Sequence, residues 1–308
     1  MKPSLQVRLA GVELKSPLVL ASGILGVTAS SLAMVARHGV GAVTTKSFSL
    51  EERPGHKGPT IVAFDQGWVN AVGLSNPGWE VATGEIREYK SRTRTPVIAS
   101  IFGKTMEEFP RVAEKAALAE PDLIEVNVSC PNVASELGTP FEADDADLAW
   151  ITSAVKRAVG RIPVAMKLSA NFGGIGRKAK ACEDSGADVI TAINTVGPGM
   201  LIDLNVRKPV LSNKVGGVSG PAILPVALRS VFEITRCVKI PVIGTGGVSC
   251  AEDALQMIVA GATAVGVGSA FAFDGLEKIP AMHQGMEDYL ARGNFPSLEW
   301  IRGAAHGQ

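Results

Sequence analysis

The residues best suited to chemistry in this chain of 308 amino acids stand where short apolar runs end. Lys46 and Ser47 close one such run, Lys167 lies near the end of another, and Asn194 and Thr195 close a third. Ser22 with Gly23, Ser100, Gly246 with Gly247, and Gly268 with Ser269 close four more. The remaining run leads into Asn127-Val128-Ser129-Cys130-Pro131-Asn132. A lone intracellular cysteine is commonly a small buried hydrophobe. Here two asparagines able to hold a planar, amide-rich ligand, a proline that fixes the turn and a long following loop argue for a working thiol. With a reference pKa near about 8.5, a thiol serves as a general base slightly above neutrality.

Two of these ends are rich in glycine: Gly244-Thr245-Gly246-Gly247-Val248 and Gly266-Val267-Gly268-Ser269. Glycine lets backbone N–H groups approach a phosphate, and a following helix N-terminus adds a favourable dipole; the plainer reading is that the glycines only make tight turns. Lys46 and Lys167 can neutralise a substrate carboxylate or the electron-rich ring of a reduced flavin. A Schiff-base lysine or a snorkelling surface cation are the rival readings. In 70–78, Asn70 can donate to and accept from a ring imide, or the segment is a surface turn.

All these positions converge on one face only if the runs are parallel strands of a barrel. Eight candidates, 18–20, 42–45, 97–100, 123–128, 164–168, 189–193, 242–244 and 264–267, are nearly continuous apolar runs, as strands covered on both faces require. Amphipathic segments alternate with them, two opening on capping-box spacings, Thr105 with Glu108 and Ser249 with Glu252. Eight βα units favour a closed (β/α)8 TIM barrel, whose active site forms at the carboxyl ends of the strands. Residues 5–14 read as an N-terminal β-hairpin plugging the barrel floor, while 131–147 and 196–220 read as insertions after strands four and six. A single barrel domain over 1–308 is expected.

Composition narrows the partners. Thirty basic and thirty acidic side chains leave no formal net charge, so there is no electrostatic footprint for nucleic acid. No apolar run reaches the roughly 18 residues of a membrane span, and 1–6 lacks the order of a signal peptide; a cytoplasmic protein is expected. The four cysteines, Cys130, Cys182, Cys237 and Cys250, have no spacing suited to a metal cluster.

Taken together, Ala21-Ser22-Gly23, Thr45-Lys46-Ser47, 70–78, 127–132, Ile193-Asn194-Thr195, Ser219-Gly220-Pro221 and Gly246-Gly247 resemble the dihydroorotate dehydrogenase family over nearly the whole chain. Cysteine in Asn-Val-Ser-Cys-Pro-Asn resembles the soluble branch. Ile202-Asp203-Leu204, 207–211 and 216–220 resemble its NAD-linked heteromeric subtype. The resemblance implies FMN-dependent oxidation of dihydroorotate to orotate in pyrimidine biosynthesis. It implies an electron-transfer partner subunit carrying FAD and a 2Fe-2S cluster, and a homodimeric core. It also assigns roles. Ser22, Lys46, Ser47, Ser100, Asn127, Lys167, Ile193, Gly220, Gly246, Gly247, Gly268 and Ser269 would contact FMN. Lys46, Asn70, Ala71, Val72, Gly73, Leu74, Asn127, Asn132, Asn194 and Thr195 would hold the substrate. Cys130 would take the C5 proton while hydride leaves C6.

The sequence departs from the family pattern at Ser100, where asparagine is usual, at Ser269, where threonine is usual, and in the lid 133–142. Rival assignments are another flavin barrel reductase acting on a related pyrimidine or using fumarate or another acceptor, and a phosphate-binding aldolase or isomerase with a Schiff-base lysine.

Overall fold

The computed structural model describes residues 3–129 and 141–307. In chain order the strands are β1 (Val7–Leu9), β2 (Val12–Leu14), β3 (Leu18–Leu20), β4 (Ala42–Thr44), β5 (Ile61–Phe64), β6 (Gly67–Asn70), β7 (Val97–Ile101), β8 (Leu123–Asn127), β9 (Val164–Leu168), β10 (Val189–Ala192), β11 (Val196–Gly199), β12 (Ile202–Asp203), β13 (Lys208–Pro209), β14 (Gly216–Ser219), β15 (Val242–Thr245) and β16 (Ala264–Val267). Eight of them, β3, β4, β7, β8, β9, β10, β15 and β16, close a parallel barrel in that order, the last pairing with the first. These are the eight runs expected from the sequence, displaced by one residue at some ends. They close because nearly every side chain is buried, half against the surrounding helices and half inside the barrel.

The helices between them are α1 (Ala29–Arg37), α2 (Trp79–Arg92), α3 (Glu108–Ala117), α4 (Asp145–Val159), α5 (Ile175–Asp184), α6 (Leu224–Cys237), α7 (Ala251–Val259) and α8 (Lys278–Arg292). Two helix starts differ from the expected capping boxes. Glu108 is already inside α3, and its carboxylate accepts from the Lys104 N–H at 2.8 Å instead of pairing with a Thr105 cap. At α7 the acid is Asp253, not Glu252: its carboxylate accepts from the Ser249 N–H and hydroxyl, both at 2.9 Å, and from the Cys250 N–H at 3.3 Å. A carboxylate one residue further on reaches two orphan N–H groups at once, which decides the register. Among the described residues no helix is long and apolar enough to cross a membrane.

The hairpin β1–β2 turns at Ala10 and Gly11, both with positive φ, and buries Leu9 and Leu14 against Val19, Ala42, Ile98, Leu123, Ala165, Val189, Ile243 and Ala264. Every barrel strand thus meets the plug through an inward side chain, so the floor is sealed opposite the strand mouths. At those mouths lies a second sheet, ordered β11-β14-β6-β5. The insertion after β10 supplies β11 and β14. The other half is the hairpin β5–β6, unforeseen in the sequence; Asn70 ends β6 and pairs with Gly217.

Candidate active site

A cleft of about 1200 Å³, counting its open mouth, lies over the carboxyl ends of the barrel strands. One end is walled largely by glycine and the other is crowded with amides and cations. At the glycine end β15 and β16 hand over through Gly246, Gly247 and Gly268. Gly246 has φ of 123° and Gly247 of 79°. A Cβ on Gly247 would come within 2.5 Å of the Leu224 backbone nitrogen, at the start of α6. Glycine is therefore demanded at 247 both by conformation and by the close approach of a helix N-terminus. Ser269 completes this wall.

At the other end Lys46, Asn70, Asn127, Lys167, Asn194 and Thr195 all line the cleft. Asn127, Lys167 and Asn194 come from or just follow the adjacent strands β8, β9 and β10, and hydrogen bonds hold the asparagines. Asn194 Nδ2 donates to Ser129 Oγ at 3.1 Å and to Asn127 Oδ1 at 3.4 Å, and Asn70 Nδ2 donates to the Gly217 carbonyl at 3.3 Å. Such bonds fix which amide edge each asparagine offers a ligand.

From the cleft wall a polar chain runs inward. Ser22, Ser47 and Ser100 form a triangle of hydroxyls, with oxygen separations of 3.0 Å for Ser22–Ser47, 3.2 Å for Ser22–Ser100 and 2.8 Å for Ser47–Ser100. Ser100 donates to Glu125 Oε1 at 3.1 Å, and the same oxygen lies 3.6 Å from Lys167 Nζ. Both charges are almost fully buried, with 6% of the lysine side chain and 4% of the glutamate exposed. A buried ion pair of this kind holds its partners at fixed positions, since removing either would strand the other in a medium of low dielectric. Lys167 thus enters the cleft as a cation with a built-in counterion below it.

Of the residues singled out in the sequence, Ser22, Lys46, Ser47, Asn70, Val72, Gly73, Leu74, Asn127, Lys167, Ile193, Asn194, Thr195, Gly220, Gly246, Gly247, Gly268 and Ser269 line this one cleft. Ser100 and Ala71 do not: each is wholly buried, Ser100 one layer down in the hydroxyl triangle. Cys130, Asn132 and most of the lid 133–142 lie outside the described residues; of the lid, Phe141 and Glu142 fall in a short 3-10 turn. The expected loop 131–147 ends early, since Asp144 already caps α4, accepting from the Ala146 N–H at 2.7 Å.

Sequence reasoning missed several residues of the site. Glu125 was legible as a lone charge inside the apolar run 123–128. Trp68 and Phe273 were not: their rings stack at the cleft edge with centroids 4.3 Å apart, although they come from β6 and from the segment after β16. Thr245 Oγ1 is buried on the cleft wall with no hydrogen-bond partner among the described residues.

Comparison with known proteins adds an independent line. A family model described as dihydroorotate dehydrogenase matches residues 4–290. Among curated relatives named "Dihydroorotate dehydrogenase B (NAD(+)), catalytic subunit", that of Methanothermobacter thermautotrophicus is 42% identical over 304 residues, covering 98% of each chain. The Methanosarcina mazei protein of that name is 44% identical over 303 residues, 98% of this chain and 95% of its own. The Pelobacter propionicus protein is 43% identical over 305 residues, 99% of each.

Proposed function

Since this chain belongs to the dihydroorotate dehydrogenase family, we propose that it is the catalytic subunit of an NAD-linked enzyme oxidising dihydroorotate to orotate in pyrimidine biosynthesis, with FMN in its barrel mouth. The observation that carries this reading is the division of the cleft: a glycine-walled end backed by a helix N-terminus, and an end built of lysine and amide side chains.

The residues present fit a flavin phosphate. A Cβ on Gly268 would meet nothing nearer than 3.5 Å, so a side chain there would stand in the cleft itself. The bare wall of Gly246, Gly247 and Gly268 leaves backbone N–H groups for an anion. Ser22, Lys46, Ser47, Asn127, Lys167, Ile193, Gly220 and Ser269 are the further residues that would hold FMN, and Ser100 would act on it through Ser22 and Ser47. When bound, the flavin supplies the acceptor for a hydride pair of electrons.

The chain's own residues do the rest. Dihydroorotate carries a carboxylate and a ring of alternating amide donors and acceptors. Lys46 answers the carboxylate; Asn70, Asn127, Asn132, Asn194 and Thr195, with the 71–74 backbone, answer the ring. Forming the C5–C6 double bond releases a hydride from C6 and a proton from C5, and Cys130 Sγ takes that proton. The Glu125–Lys167 pair keeps a cation in place where negative charge develops.

The relatives' name "catalytic subunit" supports a partner that relays electrons to NAD. From the resemblance of 202–211 and 216–220, that partner carries FAD and a 2Fe-2S cluster. The test is anaerobic titration of the purified yellow protein with dihydroorotate. Stoichiometric bleaching of the flavin band with release of orotate is expected, together with reduction of artificial acceptors but not of NAD by the isolated chain. A colourless protein, or one unchanged by dihydroorotate, would sink the reading; direct NAD reduction would refute the partner.

A further inference from the structure

Glu142 takes no part in that reading, yet it stands where three strand mouths are joined. Its side chain is fully buried. Oε1 accepts the Ser169 N–H at 2.6 Å, one residue past the end of β9, while Oε2 is buried with no hydrogen-bond partner among the described residues. Its backbone N–H donates to the Val128 carbonyl at 3.4 Å, just past β8. From Ser169 the connection continues: its Oγ accepts the Asn171 N–H at 3.2 Å, Asn171 Nδ2 donates to the Thr195 carbonyl at 3.2 Å, and Asn171 Oδ1 accepts the Gly197 N–H at 2.9 Å. Lys178 of α5, 2% exposed, holds the turn from behind, donating to the carbonyl of Glu142 at 2.6 Å and of Ala143 at 3.3 Å.

An ionised carboxylate with one buried oxygen unmatched is a costly group to keep where an apolar residue would fill the same space. We propose that Glu142 is a positioning residue: its side chain ties the mouth of β9 to the segment leaving β8, and so sets where Ser129, Asn194 and Thr195 stand at the polar end of the cleft. The proposal rests on reading that end as the substrate end.

The tie depends on charge. Ionised, Glu142 accepts a short charge-assisted bond from Ser169; protonated, it accepts a weaker one. Burial pushes this carboxyl up to about 7, with the bonds from Ser169 and the cation of Lys178 pulling the other way. The ionisable groups around it are Lys178 and Cys182 on α5 and Asp145 on α4, which pairs with Lys178 at 3.3 Å. β8 and β9 meet it through the Val128 carbonyl and Ser169. The competent, ionised form therefore dominates above neutrality and is depleted below it.

Two measurements on the full chain test this. In the first, orotate is titrated into the flavin-loaded protein between pH 6 and 9, binding being read from the flavin absorbance. Wild-type affinity is expected to fall by up to about tenfold per pH unit on the acid side of the Glu142 midpoint, in proportion to the competent fraction. Glu142→Gln, which keeps an acceptor but cannot ionise, is expected to bind weakly with no such limb. In the second, amide exchange at Ser169 is followed by NMR on ligand-free protein: protected in wild type, still partly so in Glu142→Gln, and released in Glu142→Ala. A glutamine variant with the wild-type pH profile overturns the proposal, as does a Ser169 amide that exchanges alike in wild type and in either variant. A wild-type chain that protects Ser169 but binds no orotate at any pH also overturns it, and locates the fault in the substrate assignment, because the exchange experiment needs no ligand. Should the alanine variant not fold, the near-isosteric glutamine variant decides.

Discussion

At the scale of single residues, several polar groups of the candidate site are held by neighbours outside the space a ligand would fill. Lys167 is balanced by Glu125 from below, and Asn194 by Ser129 and Asn127 from the side. Cys130 is the residue on which turnover is expected to depend most. Cys130→Ala should retain flavin but slow its reduction by dihydroorotate at least ~100-fold, the usual cost of losing a general base. Rapid-mixing absorbance of the flavin band reads this directly, and an unchanged rate removes the thiol from the mechanism. Gly247→Ala probes the opposite end. Its φ of 79° and the 2.5 Å approach to the Leu224 nitrogen leave no room for a methyl group, so this variant should release its flavin on gel filtration while wild type keeps it. These two residues also mark what could be read from sequence. Strand-end lysines, glycines and the Asn127–Asn132 motif announce themselves because apolar strands rarely end so. Ser100 does not reveal its depth: a serine at the end of a run looks the same whether it faces a cleft or, as here, forms the hydroxyl layer beneath it.

At the scale of elements, the barrel was legible because its strands are buried on both faces and so read as unbroken apolar runs. The β5–β6 hairpin escaped for the opposite reason. Its strands are four residues each, half-exposed in β5, and they are held by pairing with β14, some 150 positions away in sequence, more than by any pattern of their own. The capping register at α7 was likewise off by one, because only the folded turn reveals which carboxylate reaches two N–H groups. The plug β1–β2 offers a clean separation of stability from function. Leu14 is fully buried against the barrel floor, at the end away from the cleft. Leu14→Ala should cost about 2–5 kcal/mol of folding stability through lost transfer energy and the cavity left behind. Measured by urea denaturation, that loss should appear with flavin content and the Michaelis constant for dihydroorotate unchanged at a temperature where the variant is folded. A variant of normal stability would mean that the hairpin does not seal the floor.

At the scale of the whole molecule, the chain carries no net charge, so its stability is expected to depend on pH through individual buried groups more than through overall repulsion. Glu142 is the group that should dominate near neutrality. Burial holds its carboxyl at about 7 in the folded chain against an ordinary 4.5. Between those values the folded protein keeps a proton that the unfolded chain has given up. Stability therefore declines as pH rises through this window, and the group's contribution is fully present only below it. By pH 8 ionising Glu142 in place should have cost as much as about 3 kcal/mol, each pH unit of displacement being worth about 1.4. Glu142→Gln escapes that cost but places an amide N–H2 where Oε2 lacks a partner, which returns about 1 kcal/mol. The glutamine variant is thus expected to be more stable than wild type by about 2 kcal/mol at pH 8, with the difference shrinking and vanishing as pH falls towards 5. Thermal unfolding of both proteins across that range checks it. A stabilised variant that binds orotate poorly would mean that the chain retains, beside its cleft, a charge that weakens the fold in order to hold β8 and β9 in register with their ligand. A variant destabilised at every pH would mean instead that the carboxylate is simply part of the packing.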